Sequence, residues 1–292
     1  MKHLLTFVIA LLLLSSCKDN KKENLENFSP DSPIERIEAD SIRTSNAPDT
    51  PITSVDEVSE INKKKAKEIP ADLQSIFSAH GGLNRWKQMN NLCFEMKGEN
   101  GVEVHTVSLP DRKTRIESKD WSIGYDGKKV WLLRHDVGYK GDPVFYHNLM
   151  FYFYAMPFVI ADPGTNYVAL EPTELDGKMY NAFKVSYNDG VGDSSKDEYR
   201  LYFDPETNKM TWLAYTVTFK DQKKSTDWHY IKYDKWQDVN GLSLPQKLTW
   251  YKVENGKPKR KDIDIKFTNI AITETSLDPS VFKKPAEGRY VD

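Results

Sequence analysis

Apolar side chains recur at every second position along much of the chain beyond residue 90. Leu92, Phe94 and Met96 begin the series, with polar or small residues between them. A period of two places alternate side chains on one face of a β-strand. The same alternation covers residues 180–187, 199–203, 213–219, 228–236, 248–250 and 263–267. The pattern predicts a mainly β domain.

Short turn signals separate these segments. They are Asp126-Gly127, Asp189-Gly190, Asn240-Gly241 and Asn255-Gly256. Such pairs supply the positive φ angles that tight hairpins require. A longer turn with a proline near its start spans residues 204–208. Strands joined in this way form a meander, so we expect an antiparallel sheet, and sheet twist makes it curve.

Two segments have the spacing of helices instead. Leu73, Ile76 and Phe77 form an i, i+3, i+4 stripe that ends near His80-Gly81-Gly82. Residues 145–160 (FYHNLMFYFYAMPFVI) are apolar on most sides, and Pro157 should kink or end that helix. Such a helix must be covered. The predicted fold is therefore mainly β with α, a curved antiparallel sheet (an incomplete β-barrel) with helices over its concave face.

The N-terminus has the order of a secretory signal. Lys2 precedes an apolar run of about eleven residues, whereas a membrane-spanning helix needs roughly 20. Leu14-Ser15-Ser16-Cys17 resembles the lipobox of bacterial lipoproteins. The resemblance implies a signal peptide over residues 1–16, cleavage before Cys17, and membrane attachment through acyl chains on that cysteine. An ordinary signal peptide with an accidental cysteine is the alternative.

Composition divides the remaining chain in two. Residues 17–69 hold many mixed charges, four prolines and Phe28 as their only aromatic residue, which is typical of a disordered tether. The charged Lys18-Asp19 pair partly resembles a signal for surface display, although a plain solvated tether explains it better. All seven Trp and all fifteen Tyr lie beyond residue 70, so residues 70–292 should form one half-barrel domain.

Charge and cysteine content argue against nucleic-acid binding and against a disulfide-bonded fold. A formal net charge of -2 and a pI near 6.3 do not suggest a nucleic-acid partner. With Cys17 acylated, Cys93 is the single remaining cysteine and no internal disulfide can form. Cys93 has no base or second thiol near it in sequence, which favours a packing role.

Catalytic and metal-binding motifs are absent from the sequence. We find no GxSxG, HExxH, Walker loop or paired CxxC, and the histidines are scattered. The polar loop at residues 193–198 contains Asp193, Asp197 and Glu198, which could hold calcium, but the EF-hand spacing is missing and a solvated loop explains it. We predict a protein that is not an enzyme and uses no cofactor or metal.

Aromatic residues are the candidates for ligand binding. They could line a lipid groove or simply fill a core, and the sequence is compatible with both. The predicted groove residues are Trp131, Phe151, Tyr154, Phe158, Trp212 and Trp250.

Several short motifs carry a family resemblance that covers roughly residues 72–285. They are residues 125–131 (YDGKKVW), 203–207 (FDPET), 277–282 (LDPSVF), and Met156-Pro157-Phe158 with Asp162-Pro163-Gly164. In this order they resemble an uncharacterised Gram-negative lipoprotein family with a fold like the carrier and receptor proteins of lipoprotein sorting (LolA/LolB-like). The resemblance implies a greasy concave side under helices and a closing strand at 277–282. It also implies an arginine in the groove, for which Arg112, Arg115 and Arg134 are the candidates.

Two functions are consistent with these features. The first is a non-enzymatic outer-membrane lipoprotein, on the periplasmic face or the cell surface, that binds a lipid, an acyl chain or another lipoprotein's acyl group. The alternative is a surface lipoprotein that binds glycans or proteins, as the long tether and many Trp and Tyr would also suit. Exposed coplanar tryptophans would favour the alternative, and buried ones the lipid-binding function.

Overall fold

The computed structural model describes residues 69–98, 101–135 and 139–291. The predicted signal peptide, the predicted acylation site Cys17 and the predicted tether up to residue 68 lie outside these residues.

The described residues form one antiparallel sheet of thirteen strands, so the predicted fold class is confirmed. The sheet is open: β6 and β13 are its edges, in the order β13-β5-β4-β3-β2-β1-β12-β11-β10-β9-β8-β7-β6. The strands are β1 (Asn91–Gly98), β2 (Gly101–Ser108), β3 (Thr114–Glu117), β4 (Trp121–Tyr125), β5 (Val130–Arg134), β6 (Thr165–Leu175), β7 (Lys178–Tyr187), β8 (Tyr199–Phe203), β9 (Met210–Tyr215), β10 (His229–Val239), β11 (Leu242–Glu254), β12 (Lys257–Thr273) and β13 (Arg289–Val291).

Within the described residues, three α-helices accompany the sheet: α1 (Ala71–Ala79), α2 (Leu83–Gln88) and α3 (Pro143–Tyr154). The carboxylate of Asp142 caps α3 by accepting hydrogen bonds from the amides of Val144 (2.8 Å) and Phe145 (3.2 Å). The predicted 145–160 helix ends before Pro157, as expected, and a 3₁₀ turn (Phe158–Ala161) follows.

The helices cover one face of the sheet with stacked rings. Phe158 lies between Phe77 of α1 and Trp86 of α2, with ring centroids 6.5 and 4.7 Å away. Tyr154 of α3 packs on Phe94 and Phe267 at 4.5 and 4.4 Å. All these side chains are at most 5% exposed, so this part of the concave, helix-covered face is a filled core.

The opposite face carries a smaller aromatic cluster formed by Leu175, Tyr180, Ala182, Tyr202, Trp212, Ala214 and Tyr230. The ammonium of Lys232 lies 4.9 Å from the Trp212 ring, and the guanidinium of Arg200 lies 4.1 Å from the Trp228 ring. These long basic side chains shield aromatic surface that the helices do not reach.

Edge strand β6 is interrupted by a bulge. The pairing with β7 shifts between Leu170 and Thr173, so that one extra residue is accommodated around Pro172. Pro172 has no amide hydrogen, which is compatible with an edge strand or a bulge.

Three expectations from the sequence were wrong. Asp189-Gly190 does not form a tight hairpin, because it belongs to the long connection of residues 188–198 between β7 and β8. Val217 and Phe219 lie beyond the end of β9, where the chain leaves the sheet. The expected closing strand at 277–282 is a 3₁₀ turn (Pro279–Phe282) capped by the Asp278 carboxylate, which accepts from the Ser280 amide at 2.8 Å.

Candidate functional site

A cavity of about 360 Å³ lies between α3 and the loops at one end of the sheet. Its walls come from the β2–β3 turn, α3, the segment after the 3₁₀ turn, the β7–β8 loop and the segment after β9. The lining residues are Pro110, Arg112, Phe145, Asn148, Leu149, Tyr152, Phe153, Val159, Asp162, Pro163, Tyr187, Val191, Gly192, Asp193, Ser194, Asp197, Tyr199 and Phe219.

One wall of the cavity is apolar. Phe145, Leu149 and Phe153 are four residues apart on α3, a spacing that places them along one side of a helix. Phe219 faces them, with its ring centroid 5.2 Å from that of Phe145. Val191 of the β7–β8 loop completes this wall. An apolar ligand segment would lose water contact on entering here.

An ion pair fastens the neighbouring wall. Nη2 of Arg112 donates to both carboxylate oxygens of Asp162, at 2.7 and 2.6 Å, and Nη1 donates to the carbonyl of Leu109. The same guanidinium lies 5.2 Å from the centre of the Phe151 ring. The pair ties the β2–β3 turn to the segment that follows α3, and Asp162 balances the charge of Arg112.

One end of the cavity carries two carboxylates, those of Asp193 and Asp197 in the β7–β8 loop. Oδ1 of Asp197 accepts a hydrogen bond from the Thr218 hydroxyl at 2.7 Å. Burial raises the pKa of Asp197 to about 6, against the opposing effect of the hydrogen bonds from Thr218. Oδ2 of Asp193 accepts from the Asn148 amide at 2.9 Å and lies 3.9 Å from Nε2 of His147.

The acidic loop directs its three carboxylates to two different places. Its third carboxylate, that of Glu198, forms ion pairs with Lys184 at 2.8 Å and Lys224 at 3.4 Å instead of lining the cavity. Within the described ranges, no group of three or more His, Cys, Asp or Glu side chains is arranged to hold a metal ion.

The predicted groove residues are divided between the two faces. Phe151, Tyr154, Phe158 and Trp250 belong to the filled core of the helix-covered face, next to the cavity but outside its lining. Their role in ligand binding stays a prediction.

Trp131 and Trp212 lie on the opposite face of the sheet. Trp131 fits over Gly124, where an added Cβ would come within 2.2 Å of its ring, and its Nε1 donates to the carbonyl of Phe282 at 3.0 Å. Trp212 belongs to the small aromatic cluster. Of the three candidate arginines, Arg112 alone lines the cavity.

Sequence reasoning missed the residues that form the apolar wall. Leu149 and Phe153 were predicted to lie in the apolar 145–160 helix but not to contact a ligand, and Phe219 was assigned to a strand. The four-residue spacing of Phe145, Leu149 and Phe153 was the available signal.

A buried polar network holds α3 against the sheet on its other side. The Tyr146 hydroxyl donates to Oε2 of Glu103 at 2.6 Å, and Nε2 of His105 lies 3.2 Å from the same oxygen. Glu103 and His105 are both buried. This network fixes the helix that carries the apolar wall.

No helix in the described part of the chain has the length and apolar character needed to cross a membrane.

Comparisons with known proteins give one family match and several similar folds. Residues 142–258 match the model of a family of unknown function, DUF6503, which spans α3 through the start of β12. No curated protein is significantly similar in sequence to this chain.

Several solved structures have similar folds and low sequence identity to this chain. A LolA superfamily protein from Nitrosomonas europaea has a TM-score of 0.44 and 11% identity, over 72% of this chain and 97% of that one. A DUF1329 family protein from Desulfovibrio piger has a TM-score of 0.45 and 10% identity, over 73% and 98%. A domain assigned as an outer membrane lipoprotein-sorting protein from Vibrio parahaemolyticus has a TM-score of 0.31 and 9% identity, over 68% and 93%. These include the group that the sequence motifs resemble, and at such values the likeness concerns the fold alone.

Proposed function

We propose that this protein is a non-enzymatic lipoprotein of the cell envelope that binds an apolar ligand, a lipid or acyl chain, in the cavity beside α3. The observation that carries the proposal is the apolar wall of Phe145, Leu149, Phe153 and Phe219 around a space of about 360 Å³. Ligand pockets of proteins typically measure about 300–1,000 Å³ and are mostly apolar with a few polar groups.

The driving force for binding is burial of the ligand's apolar surface. Such burial contributes roughly 25 cal/mol per Å² before the costs of association. The Tyr146–Glu103 hydrogen bond holds α3 in place without a ligand, and the Arg112–Asp162 pair holds the segment after it. Little ordering of the protein is therefore required when a ligand enters the cavity.

The decisive test fills the cavity. The full chain would carry Cys17→Ser, so that no acyl anchor requires a detergent that competes for the site. This parent chain should retain lipid in native mass spectrometry, and adding Val191→Trp should reduce lipid binding by at least about tenfold because its ring occupies the space. Val168→Trp on β6 is the matched control, since Val168 is 58% exposed and outside the cavity. Equal binding by both variants, or a parent chain that takes up no lipid, would contradict the proposal.

Membrane attachment is proposed through acyl chains on Cys17, at the outer membrane and facing the periplasm or the cell surface. The lipobox-like residues 14–17 support this part of the proposal. Cells grown with labelled palmitate should yield labelled wild-type protein and unlabelled Cys17→Ser protein. Label in both proteins, or in neither, would contradict anchoring at this residue.

The alternative function, glycan or protein binding at a surface, depends on exposed tryptophans. All seven tryptophans lie in the described residues, and five are buried while Trp228 and Trp236 are half-buried. Arg200 covers the ring of Trp228. No flat exposed tryptophan ring in the described residues therefore favours the alternative over the apolar cavity.

A further inference from the structure

The acidic end of the cavity has no matching positive charge. Of the cavity's charged side chains, Arg112 and Asp162 balance each other through two hydrogen bonds. Asp193 and Asp197 remain. In the described ranges, neither of them forms an ion pair with a lysine or arginine.

The groups around these two carboxylates do not supply a cation. Burial lowers the pKa of His147, so its ring is neutral near pH 7 and above, although Nε2 lies 3.9 Å from Asp193. Burial raises the pKa of Tyr187 and Tyr199, which therefore stay uncharged. The nearest lysine in the loop, Lys196, is bound to Asp189.

We propose that the cavity selects amphiphiles with a positively charged ammonium head, whose apolar body lies on the α3 wall and whose head is bound by Asp193 and Asp197. This inference rests on the proposed function and specifies its ligand class. An ammonium would form charge-assisted hydrogen bonds with the two carboxylates. An anionic head, as in a free fatty acid, would meet two like charges, of which Asp197 is half-buried and Asp193 is exposed at the cavity lining.

The setting of Asp197 supports this ligand class. Its side chain is half-buried, and its hydrogen-bond donors are the hydroxyl and amide of Thr218. The raised pKa of Asp197 reports that the ionised form is poorly stabilised without a ligand. A bound cation would supply the missing stabilisation.

The test compares three probes with the same dodecyl chain and different heads: dodecylammonium, dodecanol and dodecanoate. The full chain with Cys17→Ser is titrated at pH 8 and low salt, where a primary amine with a pKa near ~10 is protonated and the pH is well above the value of about 6 for the pKa of Asp197. We expect dodecylammonium to bind at least about tenfold more tightly than dodecanoate, with dodecanol between them.

Matched variants assign the preference to the two carboxylates. Asp193→Asn with Asp197→Asn should abolish the preference for dodecylammonium while dodecanol binding stays within about twofold. Asp221→Asn removes one negative charge at an exposed position outside the cavity, and its ranking of the probes should match that of the wild type.

The outcomes separate this inference from the proposed function. Dodecanol binding with dodecanoate equal to or tighter than dodecylammonium would overturn the inference and leave an apolar site intact. An unchanged ranking in the double variant would overturn it as well. Failure of all three probes to bind would count against the proposed function itself.

Discussion

The two sides of α3 face regions of opposite character. Tyr146, Met150 and Tyr154 pack into a core of stacked rings and a buried hydrogen-bond network. Phe145, Leu149 and Phe153 lie along the neighbouring stripe and border the cavity. Helix α3 thus borders a filled half of the domain, which is the core of stacked rings, and an open half, which is the cavity. This arrangement separates the residues needed for stability from those available to a ligand.

The largest effect is expected in the filled half. Phe158→Ala should lower the free energy of unfolding by about 3–5 kcal/mol, because it empties a fully buried space between Phe77 and Trp86. Phe145→Ala, the matched substitution on the cavity side, should cost clearly less, since Phe145 is half-buried next to existing space. Urea unfolding measures both, and equal losses would break the contrast between the two halves.

A smaller effect is expected for the network that fixes α3. Tyr146→Phe should cost about 1.5–3 kcal/mol, because the buried Glu103 carboxylate loses a short hydrogen bond. Tyr290→Phe removes a hydrogen bond of 2.8 Å to Asp126 at an exposed site and should cost less than about 0.5 kcal/mol. Similar losses in the two variants would show that the network does not stabilise the helix.

The smallest effect concerns Asp197 and depends on pH. Its pKa is about 6 in the folded chain, above the ordinary aspartate value of 3.8 that applies after unfolding, so ionisation weakens folding. The stability present below pH 3.8 is lost as the pH rises through about 6. Asp197→Asn should therefore be more stable than the wild type by about 1 kcal/mol at pH 8, discounted for the exposed part of the side chain, and by little at pH 4. Thermal melts at both values check this, and a gain larger at pH 4 would contradict it.

The sequence predicted much of the fold because alternation and turn chemistry are local. Asn240-Gly241 and Asn255-Gly256 both have positive φ angles at the turns that join β10 to β11 and β11 to β12. Strand β6 was overlooked, although Asp176-Gly177 marks the turn that follows it with φ angles of 51° and 74°. Its alternation is weak because this edge strand is largely exposed.

The site was less predictable because it depends on distances between remote segments. The period of two separates Trp212 from Leu213 and Tyr215, but it does not tell which face the helices cover. The residues around Asp193 and Asp197 were recognised as an acidic loop. The contact of Asp193 with Asn148 depends on how a long connection folds over α3, and no local pattern encodes that distance.

The bulge in β6 bears on whether copies of this protein can add strands to one another at the sheet edge. An exposed edge strand offers unpaired backbone groups on which a neighbouring chain can add a strand. In β6 the shift around Pro172 interrupts the row of donors, and Glu171 and Glu174 add negative charge beside it. At the other edge, β13 has only three residues. Both borders of the sheet are therefore poor templates for polymerisation, which suits a chain proposed to be attached to a membrane.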